Sequence, residues 1–351
     1  MRPPPVDIAI VSLATTMGWR RNDEALAAQI EAAGASCELR PIRLGLARQL
    51  QRTMATTDVV QSLAARRAAH GVDARAVIYS TITAALLQPL RRPHAVRFDT
   101  IAALSRPGVG GAWQRRRERS VLARADLLLP CSEPAASAAA TATGSPPPQI
   151  VLPCVVDVVA SPATDAPEAT AYAGNPEKRG LELLCAAWAQ AAPAEARLAV
   201  GGIGRAEALR WLGRHGMSAP ANVDFLGAVP HDRWTALVAG SRVYVSAARY
   251  EDWGMAQMEA LAAGIPLVTV PTPGPNEALP LARTLAPELV AGECTAVALA
   301  NALRVGLGMD EDARRDYSAR ARRLLEPYSD AALRALVAER VVPALLERSP
   351  A

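Results

Sequence analysis

Two glutamates eight positions apart, Glu251 and Glu259, enclose Gly254 and Met255 in the stretch 250–266, YEDWGMAQMEALAAGIP. A strand-like run, VYVSAA, enters this stretch and a helical pattern ending at Gly264 leaves it, so the carboxylates flank the start of a helix beyond the end of a strand. Ligands bind there in open parallel sheets. A glycine at the first turn lets a ligand approach the backbone, and unpaired N–H groups with the helix dipole favour an anion such as phosphate. One carboxylate can then accept hydrogen bonds from ribose hydroxyls and the other from sugar hydroxyls, with a diphosphate at the helix start. That is the chemistry of a nucleotide sugar. On spacing alone, two acids near a helix start are more often a solvated pair favoured by the dipole.

A second singular residue is Lys178, the only lysine among 38 basic side chains, in the loop of AYAGNPEKRG. A chain that uses arginine everywhere else keeps one compact ammonium where geometry asks for it. Its loop must be held by the strand before it and the helix LELLCAAWAQAA after it.

The elements that position these groups follow from the alternation of apolar runs. VDIAIVSL, CELRPI, ARAVIYST, HAVRFDT and ADLLLPCS read as strands in the first half, separated by helical segments, which argues for a parallel sheet covered on both faces. The loop ATTMGWRRND with Gly18 follows the first strand and faces the ligand crevice, and Asn22 or Asp23 is expected to cap the next helix. Arg97 and Asp99, two apart at the end of HAVRFDT, share a face and are either a structural ion pair at the strand end or candidates for an acceptor hydroxyl or phosphate. The loop SRPGVGG leads to a helix from about Trp113 on which Arg115, Arg116 and Arg119 share a face, either an ordinary solvated helix face or one suited to an anionic membrane surface or a lipid phosphate. Aromatic residues are not interleaved with these arginines, which argues against nucleic acid. Ser329 is expected to cap the last helix and Pro343 to kink it.

At 351 residues the chain is too long for one ordinary core, so two domains are expected. Half the residues are hydrophobic, yet no run of 18 apolar residues occurs and no basic-then-apolar leader opens the chain, so a cytoplasmic protein is expected. Five scattered cysteines without a C-x-x-C read as reduced core thiols, and four histidines without ligand-like spacing argue against a metal site. Residues 1–150 carry a net charge of +8 and the remainder −4, so the first domain is expected to face something anionic.

The pattern E-D-W-G-x4-E-A-L-A-x-G-x-P closely resembles the E-x7-E signature of retaining glycosyltransferases of the GT-B fold, above all glycosyltransferase family 4. IVLPCVVD resembles the V-x-P-x-x-V-D that ends the first domain in that family, and NVDFLGAVP resembles its N-V-x-F-L-G-x-V segment. The resemblance is carried by residues 150–345; over residues 1–150 it rests on the alternation of elements. It implies an α/β protein with two Rossmann-like doubly wound domains facing a central cleft. Their bounds are 1–155 on the acceptor side, a linker at 156–169, a nucleotide-sugar domain at 170–327, and a helix at 328–351 crossing back to the first domain.

For individual residues, the resemblance assigns Lys178 and Arg179 to the donor diphosphate and Glu251, with the Gly254 and Met255 amides, to the donor sugar. Glu259 is assigned to ribose, and the main chain around Leu226, Gly227 and Val229 to the nucleobase. Gly18, Asn175, Gly202 and Trp253 complete the expected donor contacts. Asn175 stands where the family usually has arginine, and the family's His-Asp is absent before Asp99. The implied activity is transfer of a hexosyl unit, with retention and without metal or cofactor, to a lipid-linked or cell-envelope glycan, the protein lying at the inner face of the membrane. The rival is a GT-B protein that binds nucleotide sugar as a sensor or scaffold.

Overall fold

In a computed structural model of the protein, residues 5–14, 17–51, 53–90, 93–106, 108–156 and 161–347 are described. The chain divides into two compact units, one built from Met1–Val155 with Tyr328–Ala351, the other from Val156–Pro327. Residues 157–160 of the expected linker, Thr15 and Thr16 of the first loop, Pro107, and 348–351 lie outside the described residues.

Five parallel strands form the first sheet: β1 (Val6–Ser12), β2 (Cys37–Pro41), β3 (Ala74–Tyr79), β4 (His94–Phe98) and β5 (Leu127–Pro130), in the order β2-β1-β3-β4-β5. Their β-branched and leucine runs are buried on both faces, as an all-parallel sheet requires. Ile8, Ile10, Ile78 and Leu129 fill one face, while Val11, Val77, Val96 and Leu128 fill the other. Val337, Val341 and Leu345, four apart on the last helical segment, complete the Ile8 and Ile10 face. That segment starts at Asp330 behind the Ser329 cap, whose hydroxyl accepts the Ala332 N–H at 3.3 Å. Its turn Val337–Val341 is a π-helix just before Pro343, which has no N–H to give the preceding turn.

The second sheet holds β6 (Ala169–Tyr172), β7 (Leu198–Gly201), β8 (Val223–Gly227), β9 (Val243–Ser246) and β10 (Leu267–Thr269), again all parallel, in the order β10-β9-β6-β7-β8. Strand order reverses between β1 and β3 in the first unit and between β6 and β9 in the second. Loops beyond those strand ends are where each unit offers a ligand crevice.

The first helix begins at Met17, five residues before the expected caps. Asn22 and Asp23 sit inside it because their side chains are spent on long-range bonds: Asn22 Oδ1 accepts the Val155 N–H at 2.9 Å, and Asp23 receives the Ser12 hydroxyl. Of the cysteines, Cys131, Cys154 and Cys185 are buried, but Cys294 is exposed and Cys37 half-buried, which corrects the reading of all five as core thiols. Among the described residues no helix is long and apolar enough to cross a membrane.

Candidate active site

Three loops meet at the reversal point of the second sheet. The loop after β6 is a tight turn in which Asn175 Oδ1 accepts the Lys178 N–H at 2.9 Å and the Asn175 carbonyl accepts the Arg179 N–H at 2.9 Å. Gly180 ends it with φ +59°, and a Cβ there would stand 2.2 Å from the Ala247 carbonyl oxygen. The Lys178 carbonyl accepts the Arg249 N–H at 2.9 Å, joining this loop to the one after β9. The loop after β10 closes on the same place. Its Pro273 carbonyl accepts the Glu251 N–H at 3.0 Å, and Gly274, at φ +112°, passes so near that a Cβ would lie 2.1 Å from the Glu251 carbonyl oxygen. Backbone fitted this closely admits only glycine.

Across this frame Arg179 donates to Glu251 and Lys178 to Asp252, with the ammonium also 5.7 Å from the Tyr250 ring centroid. Glu251 is buried, while Lys178 and Arg179 remain partly open to solvent. One guanidinium nitrogen serves Glu251, so the remaining N–H donors of Arg179 are available to a second partner. The buried Tyr244 hydroxyl on β9 has its pKa raised, first by desolvation; Arg179 opposes that rise and Glu259 adds to it, so both groups act on one point of the sheet. Gly254 caps the helix Met255–Ala262 at φ +91°, leaving its first N–H groups facing the loops.

Asp252, Gln257 and Asn276 belong to this site and escaped the sequence reading. Gln257 and Asn276 are buried, bonded to Ser246 Oγ at 2.9 Å and to the Ala278 N–H at 3.1 Å, while Gln257 Oε1 and Asn276 Nδ2 lack a partner among the described residues. The side chains near Gly254 are therefore not all spent on the fold. Gln257 had a signal, a polar residue in the first turn of a helix whose other polar residue is Glu259; Asn276 had none beyond its loop.

Several expectations are corrected. The ring of Trp253 is buried, and its carbonyl accepts the Glu277 N–H at 3.2 Å, so the side chain walls the fold and offers no face to a donor. Gly202 is a packing glycine: a Cβ would meet Tyr172 at 2.6 Å and the Gly174 nitrogen at 2.7 Å, and its N–H binds the Gly227 carbonyl at 2.7 Å. Leu226 and Val229 line a separate cavity of 360 Å³ that runs past Ala199 and Leu237.

In the first unit, Arg97 leaves the acceptor side altogether. It is 2 % exposed on a strand buried on both faces, where it donates to the Pro153 carbonyl at 3.2 Å, approaches Cys154 Sγ at 3.8 Å and lies 5.5 Å over the Trp19 ring. Asp99, two residues on, lies beyond the strand end and lines a cavity of 260 Å³. The pair therefore does not project together, because only Asp99 has left the sheet. Gly18 lies in the first turn of helix Met17–Ala32, where its carbonyl accepts the Asn22 amide at 3.1 Å, and is not in a loop. On helix Ala112–Leu122, Arg116 and Arg119 are exposed, whereas Arg115 folds back to the Gly108 carbonyl at 2.8 Å. Among the described residues no group of three or more His, Cys, Asp or Glu is placed to hold a metal ion.

Residues 168–307 match the sequence model of the family described as glycosyl transferases group 1. No curated protein matches the chain in sequence. In structure the chain is similar to a sucrose-phosphate synthase from Thermosynechococcus elongatus, with TM-score 0.71 at 18 % identity over 95 % of this chain and 97 % of that one. It is also similar to WaaG, a glycosyltransferase involved in lipopolysaccharide biosynthesis (TM-score 0.72, 13 % identity, 95 % and 99 % coverage). A glycosyltransferase from Rickettsia africae gives 0.67 at 11 % identity over 99 % and 100 %. At these identities the likeness establishes the fold, which is GT-B.

Proposed function

We propose, for a chain whose second unit is a group 1 glycosyl transferase domain in a GT-B fold, that a hexosyl unit is moved from a nucleoside-diphosphate sugar to a hydroxyl acceptor with retention at the anomeric carbon. The observation that carries this reading is the junction of the loops after β6 and β9, where Lys178 and Arg179 stand against Glu251 and Asp252 beside the start of helix Met255–Ala262. Two cations and a helix start offset charge on a departing diphosphate, so no bound metal is needed to do so. Their carboxylate partners hold the cations in place before substrate arrives, which limits reorganisation during the reaction. Glu251 orients the donor sugar and Glu259 the ribose. Transfer takes place on the side of the sugar from which the diphosphate departs, without a protein nucleophile.

The acceptor falls to the first unit, which also supplies a membrane-facing surface. Leu46, Leu50, Met54, Leu104, Val109 and Trp113 are exposed, Val109 to 95 % and Leu46 to 85 %. Met54 Sδ lies 3.2 Å from the Arg106 guanidinium, which joins the two segments that carry them. Residues 43–54 and 102–119 contain eight arginines and a single acid, the buried Glu118. Apolar side chains beside the exposed Arg116 and Arg119 suit an anionic bilayer surface and a lipid-linked or envelope glycan.

Thermal unfolding with nucleoside diphosphates and their sugars tests the donor half, in EDTA and in magnesium. A ligand at 100 times its Kd adds about 2.7 kcal/mol to the folded state. One nucleotide should raise Tm in EDTA, and Glu259→Ala and Lys178→Ala should lose the response; no response to any nucleotide removes the reading. An inverted anomeric centre in the product by NMR would remove retention alone.

A further inference from the structure

We infer that the cavity at the reversal point of the first sheet binds an uncharged, hydroxyl-rich ring, a monosaccharide unit or a cyclitol, as the acceptor, and that its carboxylates keep phosphorylated rings out. The inference rests on the transferase reading for the word acceptor; the binding class rests on the cavity alone.

The cavity of 260 Å³ opens beyond the carboxyl ends of β1, β3 and β4, with Leu13, Thr81 and Asp99 at those ends. In a sheet of this strand order that is the binding crevice. Its volume lies below the usual range for drug-sized ligands, about 300–1,000 Å³, and admits one ring in place of a chain. The wall is mixed. Trp19, Phe98 and Ile101 supply apolar surface, and Asp58, Asp99, Glu118 and Gln114 supply polar groups.

Charge selects among ring compounds. Three carboxyl groups line the cavity against one cation, Arg106, and that cation is engaged 3.0 Å from Asp58 Oδ2. Asp58 also receives the Gln114 amide and, at 3.4 Å, the Thr83 hydroxyl. Glu118 is fixed from behind by the Ala102 N–H at 2.6 Å. Oxygen acceptors thus outnumber free cations, an arrangement that receives O–H donors and repels phosphate oxygens. Burial pushes the Glu118 carboxyl up to about 7, so raising the pH increases the negative charge on the wall. Arg106 and Gln114 belong to the same stretch as the exposed Leu104, Val109 and Trp113, so a ring carried on a lipid and a free ring present the same chemistry to the cavity.

The test is saturation-transfer NMR on the full chain with methyl α-glucopyranoside, methyl α-mannopyranoside, myo-inositol and glucose 6-phosphate. At least one neutral ring should bind, with glucose 6-phosphate at least about tenfold weaker than the best of them. Asp99→Asn combined with Glu118→Gln should narrow that gap several-fold, a gain that misfolding cannot produce, while Asp58→Asn should weaken every ring. A diacylglycerol glucoside in phosphatidylcholine vesicles should compete with the soluble ring, and a preference for the vesicle-borne ring would name the lipid as its source. Glucose 6-phosphate binding as tightly as the neutral rings overturns the inference. So does the absence of ring binding in protein whose Tm still responds to a nucleotide, which leaves the transferase reading standing. Ring binding without any nucleotide response has the opposite meaning: the binding class stands and the transferase reading falls.

Discussion

The two units solve the same packing problem with different strand orders, and their reversal points carry opposite equipment. In the second unit the loops after β6, β9 and β10 are locked by glycines and bear two cations facing two carboxylates. In the first, the corresponding space is a cavity with three carboxyl groups and one occupied guanidinium. A diphosphate needs backbone N–H groups and cations in a fixed turn, which short contiguous segments provide. A small polyol needs acceptors from several directions, and those come from segments as far apart as Asp58, Asp99 and Glu118. The second unit's site is therefore written in motifs and the first unit's cavity in tertiary structure.

The largest effect should come from removing a cation. Lys178→Ala or Arg179→Ala is expected to lower kcat by about 10²–10³, the usual cost of losing one preorganised charge-stabilising group, while Asp58→Asn should act mainly through KM for the acceptor. Steady-state kinetics with both substrates varied would break the division of labour if each variant altered both sides alike. Next, Gly180→Ala should destabilise by about 3 kcal/mol, since it combines a left-handed φ with a clash against the Ala247 carbonyl. Urea denaturation would show it, along with loss of the nucleotide response.

A pH effect of similar or smaller size should separate the units. The Glu118 carboxyl has a folded pKa of about 7 against 4.5 unfolded, so the native state holds the proton more tightly. Its contribution is unchanged below about pH 4.5, falls as pH rises towards 7, and is constant above. Glu118→Gln should flatten that slope and stabilise the protein at pH 8 by up to about 3 kcal/mol, measured by urea titration at pH 5 and pH 8. The smallest change in stability, within about 0.5 kcal/mol, is expected for Val109→Ser with Arg116→Glu and Arg119→Glu. Sedimentation with phosphatidylglycerol vesicles should nevertheless fall sharply, and unchanged sedimentation would remove the membrane surface.

Most of the architecture was legible because apolar runs of four to eight residues alternate with helical ones. The position of Lys178, Glu251 and Gly254 on loops beyond strand ends was legible because turn residues follow strand-like runs there. Arg97 was misread because alternation says which residues share a face, and a strand inside a parallel sheet has no open face. Asn22 and Asp23 imitate helix caps, and only their distant partners Val155 and Ser12 reveal otherwise. Asp58, Gln114 and Glu118 stand on helices without any motif around them. Nothing local distinguishes a carboxylate turned into a cavity from one turned to water.

The return of residues 328–347 to the Ile8 and Ile10 face makes the first unit discontinuous, and this sets an order of events at the ribosome. Residues 156–327 are translated before the segment bearing Val337, Val341 and Leu345, so the first unit leaves the ribosome with part of one side of its sheet uncovered until that segment arrives. The half that was made first is the half completed last, and during that interval it is the natural client of a chaperone.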